Sequence, residues 1–245
     1  MVVNEIFHSI QGEGLLAGTP SVFIRLAGCP LQCKWCDTKY AWDANEGEEL
    51  PVSEIVNRIV QWPSRYVVIT GGEPMVNPQL PDLARVLKER NKHITIETAG
   101  IKFVAGLVCD LMSISPKTSN SGQKTKTTPL RLGSPANGLL GQAGPALRQQ
   151  CSGQADPFFS IRQLIRRYPY QLKFVVDSPD DLPEIQQALE QIGGIPAEKV
   201  MLMPQAKKRD ELIAKSPMVA EMCRETGYVF CQRLHILLYD GAKGK

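Results

Sequence analysis

The sequence predicts an α/β protein with a mostly parallel sheet, in which the series of β/α repeats is incomplete. Apolar, β-prone segments alternate with segments that carry apolar residues at helical spacing, a pattern typical of a parallel sheet with helices outside. The connection formed by residues 99–106 is too short for an ordinary helix, so one repeat lacks its helix. The cysteine cluster at 29–36 and the motifs at 70–74, 115–117 and 203–206 each follow a predicted strand. This places them together at the carboxyl edge of the sheet.

The first half of the chain carries the first strands and helices of this pattern. The strands are short apolar runs over residues 21–28, 65–70, 93–98 and 107–115. The first helix covers residues 52–62, with Ser53 as its expected N-cap. Its apolar face consists of Ile55, Val56, Ile59 and Val60. The second helix covers residues 79–91, and its apolar stripe consists of Leu80, Leu83, Ala84 and Leu87.

The second half continues the alternation after an interruption. Helical spacing predicts helices over residues 158–168, 180–192 and 209–227. The last of these helices contains Pro217, where we expect a break. Apolar runs predict strands over residues 170–176, 199–204 and 228–239.

The interruption extends from residue 117 to about residue 156. It is rich in Ser, Thr, Gly, Gln and Pro, and no acidic residue occurs between Leu111 and Ala155. Such a composition is poorly able to bury a core. We therefore predict a flexible surface insertion at about 118–156 within a single domain that covers residues 1–245.

Composition limits the classes of function. The chain has 245 residues, enough for one sizeable core, with 43% hydrophobic and 22% charged residues. A net charge of +3 is too small to indicate a nucleic-acid partner. The opening stretch "MVVNEIFHSI" lacks the features of a signal peptide, and no apolar run approaches the length of a membrane span. We expect a cytoplasmic protein with no membrane or nucleic-acid partner.

Three cysteines lie within the stretch "GCPLQCKWCDT", at Cys29, Cys33 and Cys36. The chain has 7 cysteines, and an odd number with this clustering favours a metal or redox site over a disulfide framework. Structural zinc needs four protein ligands, and no histidine or further cysteine has the spacing to supply the fourth. Soft thiolates suit iron–sulfur clusters. The pattern therefore favours a four-iron cluster with one open iron, and zinc is the alternative.

The spacing Cys-x3-Cys-x2-Cys, with an aromatic residue before the last cysteine, resembles the signature of radical S-adenosylmethionine (SAM) enzymes. The resemblance implies that SAM binds the open iron of a [4Fe–4S] cluster. It also implies that the fold is an incomplete, TIM-type β/α barrel of the radical SAM type. "TGGEP" (70–74), "SPK" (115–117) and "MPQA" (203–206) resemble further SAM-binding elements. The implied SAM contacts are Trp35, Cys36, Asp37, Gly72, Glu73, Ser115, Pro116, Lys117, Met203, Pro204, Gln205 and Ala206.

Four stretches resemble a narrower group, the 7-carboxy-7-deazaguanine synthase family. They are "NEIFHSIQGEG" (4–14), "FIRLAGCPLQCKWCDTKYAWD" (23–43), "VVITGGEP" (67–74) and "SISPK" (113–117). The resemblance implies conversion of 6-carboxy-5,6,7,8-tetrahydropterin to 7-carboxy-7-deazaguanine and ammonia, in queuosine biosynthesis, with SAM regenerated as a cofactor. It also implies an electron donor such as flavodoxin or ferredoxin, and a homodimer.

The same resemblance assigns residues to the substrate and to Mg²⁺. The implied pterin contacts are Ile10, Gln11, Gly12, Glu13, Arg25 and Thr70. The planar guanidinium of Arg25 suits both oxygens of the substrate carboxylate. Thr38 is the implied protein ligand of Mg²⁺, and because one hydroxyl is a poor metal site, substrate and water would share the ion. The three histidines, His8, His93 and His235, have no catalytic spacing and are interpreted as structural.

Two other functions stay open on the sequence. A radical SAM activase would act on a protein substrate, although "IQGEG" together with Arg25 argues against it. A zinc-stabilised binding module would have no catalytic activity and would be colourless, whereas an iron–sulfur protein is brown. The carboxyl-terminal stretch "YDGAKGK" resembles the family only loosely, so no substrate contact is predicted from it.

Overall fold

The computed structural model describes residues 1–122 and 156–244, which form one sheet covered by helices. The strands are β1 (Val2–Ile10), β2 (Pro20–Leu26), β3 (Glu48–Glu49), β4 (Tyr66–Gly71), β5 (His93–Thr98), β6 (Leu111–Ile114), β7 (Tyr170–Val176), β8 (Val200–Pro204) and β9 (Val229–Phe230). The α-helices are α1 (Val52–Val60), α2 (Leu80–Glu89), α3 (Phe159–Arg167), α4 (Leu182–Ile192), α5 (Arg209–Thr226) and α6 (Leu234–Tyr239). Most of the predicted insertion lies outside the described residues.

The sheet is open and mostly parallel, as the sequence predicts. Its strand order is β3-β1-β2-β4-β5-β6-β7-β8-β9, and every neighbouring pair from β2 to β9 is parallel. The antiparallel pairs among the described strands are β1 with β2 and β1 with β3. Because β3 and β9 are the two edges and do not pair with each other, the sheet is a partial barrel. The connection from β5 to β6 contains no helix, which confirms the incomplete repeat.

The apolar core lies between the convex face of the sheet and the helices. The stripes predicted for α1 and α2 are confirmed, since Ile55, Ile59, Leu83 and Leu87 are fully buried in this core. Val60 is exposed instead, at the end of α1. Alternate residues of the strands face the core, and the residues between them face the concave side of the sheet. That alternation leaves the concave side available for polar groups.

Three predicted elements differ from the structure near the ends of the sheet. Strand β1 is missing from the prediction because most of its residues are only half-buried, which weakens their apolar alternation. The segment 228–239 is not one strand: it divides into β9 and α6. A short apolar run has no period that distinguishes a strand from a helix. The strand predicted over residues 107–115 is shorter, and forms only β6.

Two predictions about single residues of the helices, a break at Pro217 and an N-cap at Ser53, are wrong. Helix α5 continues through Pro217, where a break was expected. The proline leaves the Ile213 carbonyl without an N–H partner, but Ile213 is 55% exposed, so water can bind this carbonyl at the surface. Helix α1 follows Pro51 as its N-cap residue, and no side chain, including that of Ser53, caps it. None of the helices in the described residues has the length and apolar character needed to cross a membrane.

Candidate active site

A cavity of about 580 Å³ opens at the carboxyl edge of the parallel strands, on the concave side of the sheet. The four motif regions predicted to meet at this edge all contribute to its wall. The predicted site residues that line it are Ile10, Gln11, Gly12, Glu13, Arg25, Cys29, Cys33, Trp35, Cys36, Asp37, Thr38, Thr70, Gly72, Glu73, Ser115, Lys117, Met203 and Gln205. The three others, Pro116, Pro204 and Ala206, are buried beside the wall and do not line the cavity.

The cysteine loop, residues 29–38, follows β2 and forms one wall of the cavity. Backbone N–H groups of Gly28 and Cys29 donate to the carbonyls of Ala41 and Trp42 at 2.9 and 3.0 Å, which closes the loop at its base. Cys33 is buried, whereas Cys29 and Cys36 are partly exposed to the cavity. Burial raises the pKa of the Cys29 thiol to about 11. Thiol ligands bind metals as thiolates, so a metal bound by Cys29 would displace this proton.

Three thiols on one loop match the number of protein ligands that a [4Fe–4S] cluster with one open iron needs. A zinc ion needs four ligands at about 2.0–2.3 Å from one point. Within residues 1–122 and 156–244, no three His, Cys, Asp or Glu side chains are arranged to hold one metal ion. In a four-iron cluster each thiolate binds a different iron atom, so the thiols need not converge. Cys29, Cys33 and Cys36 therefore fit a [4Fe–4S] cluster.

Trp35 anchors the middle of the cysteine loop to the opposite side of the sheet. Its ring packs against a small apolar cluster that includes Val175 and Met203. Its Nε1 donates to Asn120 Oδ1 at 3.2 Å, and the Asn120 amide donates to the Val175 carbonyl at 2.9 Å. Residues 118–122, at the start of the predicted insertion, are thus packed onto the cysteine loop.

The "TGGEP" turn packs against the base of the cysteine loop. A Cβ on Gly72 would lie 2.0 Å from the Gly28 carbonyl oxygen, so only glycine permits this approach. The next residue, Glu73, is 2% exposed, and its carboxylate accepts from Thr98 Oγ1 at 2.6 Å and from the Ala99 N–H at 2.7 Å. Burial raises the pKa of Glu73, while these donors oppose the rise. A carboxylate with fixed partners can still accept a further donor from the cavity.

Lys117 of the "SPK" turn lies between the cysteine loop and Glu73. Its Nζ donates to Ser115 Oγ at 2.9 Å and lies 5.1 Å from the centroid of the Trp35 ring. Burial lowers the pKa of Lys117, although Cys33 and Glu73 act in the opposite direction. The positive charge thus lies close to the thiols and the buried carboxylate.

A row of polar side chains crosses the concave face of the sheet from β2 to β7. Arg25 lies beside Thr70 in the parallel register, and Glu97 lies beside Ser113. The Thr70 hydroxyl donates to Glu97 Oε2 at 2.9 Å and joins the two pairs. Ser113 lies beside Gln171, whose amide donates to the serine oxygen at 2.8 Å. The row gives the cavity a polar floor under the cysteine loop.

Arg25 is held in a fixed orientation at one end of this row. Its Nε donates to Glu5 Oε1 at 2.6 Å, and the Tyr40 hydroxyl donates to the same oxygen at 2.9 Å. The guanidinium carbon lies 5.7 Å from the Phe7 ring centroid and 5.9 Å from that of Tyr40. Glu5 thus occupies Nε, and Arg25 lines the cavity.

A chain of buried ion pairs crosses the cavity above the polar floor. Lys173, whose side chain is 4% exposed, donates to Glu13 at 2.8 Å and to Glu97 at 3.5 Å. Arg233 pairs with Glu13 at 3.0 Å and with Asp37 at 2.6 Å. Burial alone would raise the pKa of Glu13, but Lys173 and Arg233 outweigh it and hold that pKa well below its usual range. Burial lowers the pKa of Lys173, and the carboxylates of Glu13 and Glu97 more than reverse this effect.

Thr38 lies at the cavity wall beside the last cysteine. Its Oγ1 is 3.6 Å from Cys36 Sγ. Thr38 is the N-cap residue of a short 3-10 turn, Lys39–Ala41, but its side chain makes no capping hydrogen bond. The geometry therefore does not support capping as the role of this hydroxyl.

The site lies in a region that matches known proteins. Residues 23–127 match the family model of the Radical SAM superfamily. The chain is 36% identical over 245 residues to a 7-carboxy-7-deazaguanine synthase from Rhodopirellula baltica, and the match covers 100% of this chain and 88% of the relative. The chain belongs to the 7-carboxy-7-deazaguanine synthase family.

Two further members of the family agree with this assignment. A 7-carboxy-7-deazaguanine synthase from Halobacterium salinarum is 35% identical over 247 residues, with 98% of this chain and 91% of the relative covered. The crystal structure of QueE from Escherichia coli matches with a TM-score of 0.60 at 25% identity, and covers 94% of this chain and 92% of that chain. The open, mostly parallel sheet is therefore the partial barrel of a radical SAM enzyme.

Membership of the synthase family decides between the functions that the sequence left open. The protein is a radical SAM enzyme that acts on a small molecule, with a [4Fe–4S] cluster and SAM as cofactors. Neither a zinc-stabilised module without catalysis nor an activase of another protein agrees with this membership. The three-cysteine loop at a cavity mouth is the feature of this chain that fits the cluster.

Several cavity residues of this family member are missing from the sequence prediction. Glu97, Lys173 and Arg233 line the cavity, and each is a charged residue within or next to an apolar run. His235, interpreted from the sequence as structural, also lines the cavity, with its Nε2 3.9 Å from Glu13 Oε1. A Cβ on Gly12 would lie 2.1 Å from His235 Nδ1, a contact that favours glycine at the first of the two glycine positions in "IQGEG". Burial lowers the pKa of His235.

The carboxyl-terminal tail of this family member reaches the same cavity. The tail residues at the wall are Gly241, Ala242, Lys243 and Gly244. The Lys243 ammonium lies 4.2 Å from the centroid of the Tyr40 ring, close to the group that orients Arg25. The sequence did not predict this contact, because the tail resembles the family only loosely.

Proposed function

We propose that the protein converts 6-carboxy-5,6,7,8-tetrahydropterin to 7-carboxy-7-deazaguanine with release of ammonia, and that SAM is regenerated in each cycle. The observation that carries the proposal is the continuity of one cavity, which joins the cysteine loop to the polar floor and to the chain of ion pairs. A substrate on that floor lies next to the site of the cofactors, with no wall between them. Family membership supports the same reaction.

The bound cofactors would supply the radical chemistry, and the protein would position and shield the reactants. Cys29, Cys33 and Cys36 would hold the cluster. In this proposal Glu73 accepts from the methionine ammonium of SAM, and Asp37 and Lys117 bind its other polar groups. The fixed partners of Glu73 hold its carboxylate ready for a charged donor.

The polar floor orients the pterin in this proposal. The terminal nitrogens of Arg25 bind the substrate carboxylate, since Glu5 already occupies Nε. Glu97 is the acceptor for N–H groups of the pterin ring, because a carboxylate accepts at several positions and this one faces the cavity. Thr70 and Gln11 donate to Glu97 at 2.9 and 3.3 Å and limit its movement.

Mg²⁺ is part of the proposal, with Thr38 as its protein ligand. The support is the position of the hydroxyl at the cavity wall and the absence of a capping bond from it. Substrate oxygens and water would supply the remaining ligands of an octahedral ion. An electron donor of the flavodoxin or ferredoxin type, a homodimer and a cytoplasmic location stay predictions.

The reaction is tested with anaerobically prepared, cluster-loaded protein. The enzyme is incubated with SAM, a chemical reductant and 6-carboxy-5,6,7,8-tetrahydropterin, and the product is identified by mass and by co-elution with authentic 7-carboxy-7-deazaguanine. Many turnovers per SAM are expected. Cleavage of SAM with no consumption of the pterin would contradict the proposed substrate while leaving the radical SAM assignment intact.

A further inference from the structure

Arg233 joins segments that are distant in the sheet and in the chain. It follows β9, the last strand of the parallel part of the sheet. Its Nη2 donates to Asp37 in the loop after β2, and its Nε donates to Glu13 in the loop after β1. Its Nη1 donates to the Ala206 carbonyl, in the turn after β8. Each guanidinium nitrogen thus binds a different segment.

These contacts join the segment after β9 to the loops before and after β2, at the open side of the sheet. No strand pairing joins β1, β2 or β3 to β9 in the described residues, so side-chain and loop contacts of this kind connect the two sides there. The Leu234 N–H donates to the Gly12 carbonyl at 2.9 Å and supports the same closure. Trp35 anchors the middle of the cysteine loop, whereas the pair with Arg233 holds its end at Asp37.

We infer that Arg233 is a positioning residue that closes the mouth of the open barrel and holds Asp37 and Glu13 in the relative positions that SAM and substrate require. The inference rests on the proposed function for the assignment of Asp37 to SAM and Glu13 to the pterin. It assigns to Arg233 no contact with either reactant. Asp37 and Ala206 follow the carboxyl ends of β2 and β8, and Glu13 lies in the β1–β2 loop that lines the cavity, so its effect is local to the site and not general to the fold.

The chemistry of the side chain explains why arginine is needed. A planar guanidinium presents donors in a fixed fork and can bind three acceptors in three directions. A lysine ammonium keeps the positive charge, but its donors share one nitrogen and cannot reach acceptors spread along the fork. Arg233→Lys therefore removes the closure while it largely preserves the charge balance beside Glu13.

The test compares Arg233→Lys with Arg209→Lys in the full-length, cluster-loaded protein. Arg209 is the matched control because it is also an arginine that binds backbone carbonyls, those of Leu237 at 2.7 Å and Leu238 at 3.0 Å in α6, but it does not line the cavity. The dissociation constant of SAM is measured without pterin. Arg233→Lys is expected to raise it about tenfold, the scale of one charge-assisted hydrogen bond. Arg209→Lys is expected to leave it unchanged.

Hydrogen exchange distinguishes positioning from general stabilisation. In Arg233→Lys, exchange should be faster in residues 11–15 and 37–42, with β4 and β5 unchanged. Faster exchange throughout the protein, or SAM affinity and exchange equal to those of the wild type, would overturn the inference. Neither measurement needs the pterin. A failure of the proposed reaction would therefore have a different signature: wild-type protein would bind SAM but would not convert this substrate.

A second variant keeps the inference testable if Arg233→Lys does not fold. Asp37 is 43% exposed, so Asp37→Asn breaks the same ion pair from its accessible end with little risk to folding. Exchange should become faster in residues 37–42 and stay unchanged in residues 11–15. Unchanged exchange in residues 37–42 of Asp37→Asn would overturn the inference.

Discussion

Removal of the Lys173 ammonium is expected to destabilise the protein in a pH-dependent way. The side chain is 4% exposed and lies between Glu13 and Glu97, at 2.8 and 3.5 Å. Lys173→Met keeps the length of the side chain and removes its charge. Removing one partner from a buried pair costs about 3–5 kcal/mol because it leaves an uncompensated charge. Arg233 still pairs with Glu13, so we expect the lower end, about 3 kcal/mol.

The wild-type pair is insensitive to pH near neutrality. The pKa of Glu13 is lowered, so its contribution is present above the unfolded value of about 4.3 and is lost as the pH falls through the folded value. The pKa of Lys173 is raised, so its contribution is present below about 10.4 and is lost as the pH rises through the folded value. Both groups therefore stay charged between pH 5.5 and pH 8, the two values at which stability is compared. Each value lies about one pH unit or more from the nearer unfolded pKa.

The variant should gain a pH dependence that the wild-type pair lacks near neutrality. Without Lys173, burial is the largest influence on Glu13, and we expect it to raise the folded pKa of this carboxyl above its unfolded value. The folded state then binds more protons than the unfolded state, so the free energy of unfolding falls as the pH rises. Each unit of raised pKa contributes about 1.4 kcal/mol to this loss.

Thermal unfolding of the cluster-loaded protein measures both effects. A loss of about 3 kcal/mol corresponds to a decrease of roughly 6–12 °C in Tm for a domain of this size. The control is Lys88→Met, which removes an exposed pair with Asp110 and should cost about 1 kcal/mol or less. A deficit in Lys173→Met that is no larger than that of the control, or that is equal at pH 5.5 and pH 8, would refute the reasoning.

Three further predictions concern the substrate, the cluster and the metal. Arg25→Ala should weaken pterin binding by about 1.5–3 kcal/mol in binding and steady-state assays, with SAM affinity unchanged. Glu5→Gln should weaken pterin binding by a smaller amount. An equal loss of SAM affinity would contradict the proposal that Arg25 binds the substrate carboxylate. Cys33→Ala should abolish cluster binding in iron analysis, whereas Cys231→Ala, outside the motif, should keep full iron content. Mg²⁺ should raise turnover in the wild type, Thr38→Ala should lose most of this stimulation, and Thr38→Ser should keep much of it; identical magnesium titrations of all three would exclude the metal role.

The sequence alone determined the features that depend on residues close together in the chain. The cysteine ligands lie within one loop, so their spacing is visible without a fold. The helical stripes of α1 and α2 and the alternation of strands with helices are also local patterns, and they predicted the open parallel sheet. The carboxyl edge then followed as the position of the site, because parallel strands all end there.

Some elements could not be predicted because two local structures compete. The segment after Arg233 is short and mostly apolar, so its sequence fits a strand as well as a helix. In the structure it forms helix α6, in which Ile236 packs with Ala206 and Leu212. Pro217 normally ends a helix, but the surface position of α5 tolerates the missing hydrogen bond. Strand β1 has a weak pattern, and pairing with β2 and β3 decides its conformation.

The chain of charges across the cavity was decided by tertiary structure alone. Arg233 and Glu13 are 220 residues apart in the chain, and Lys173 and Glu13 are 160 residues apart. Each of these charges is unfavourable in an apolar environment by itself, and it becomes stable only when the fold brings an opposite charge within hydrogen-bond distance. The sequence therefore identified the three cysteines proposed as cluster ligands, whereas formation of the sheet determined which charges face the cavity. The physical reason is that thiol ligands are grouped by the local chain, but ion pairs between distant loops exist only after the sheet has formed.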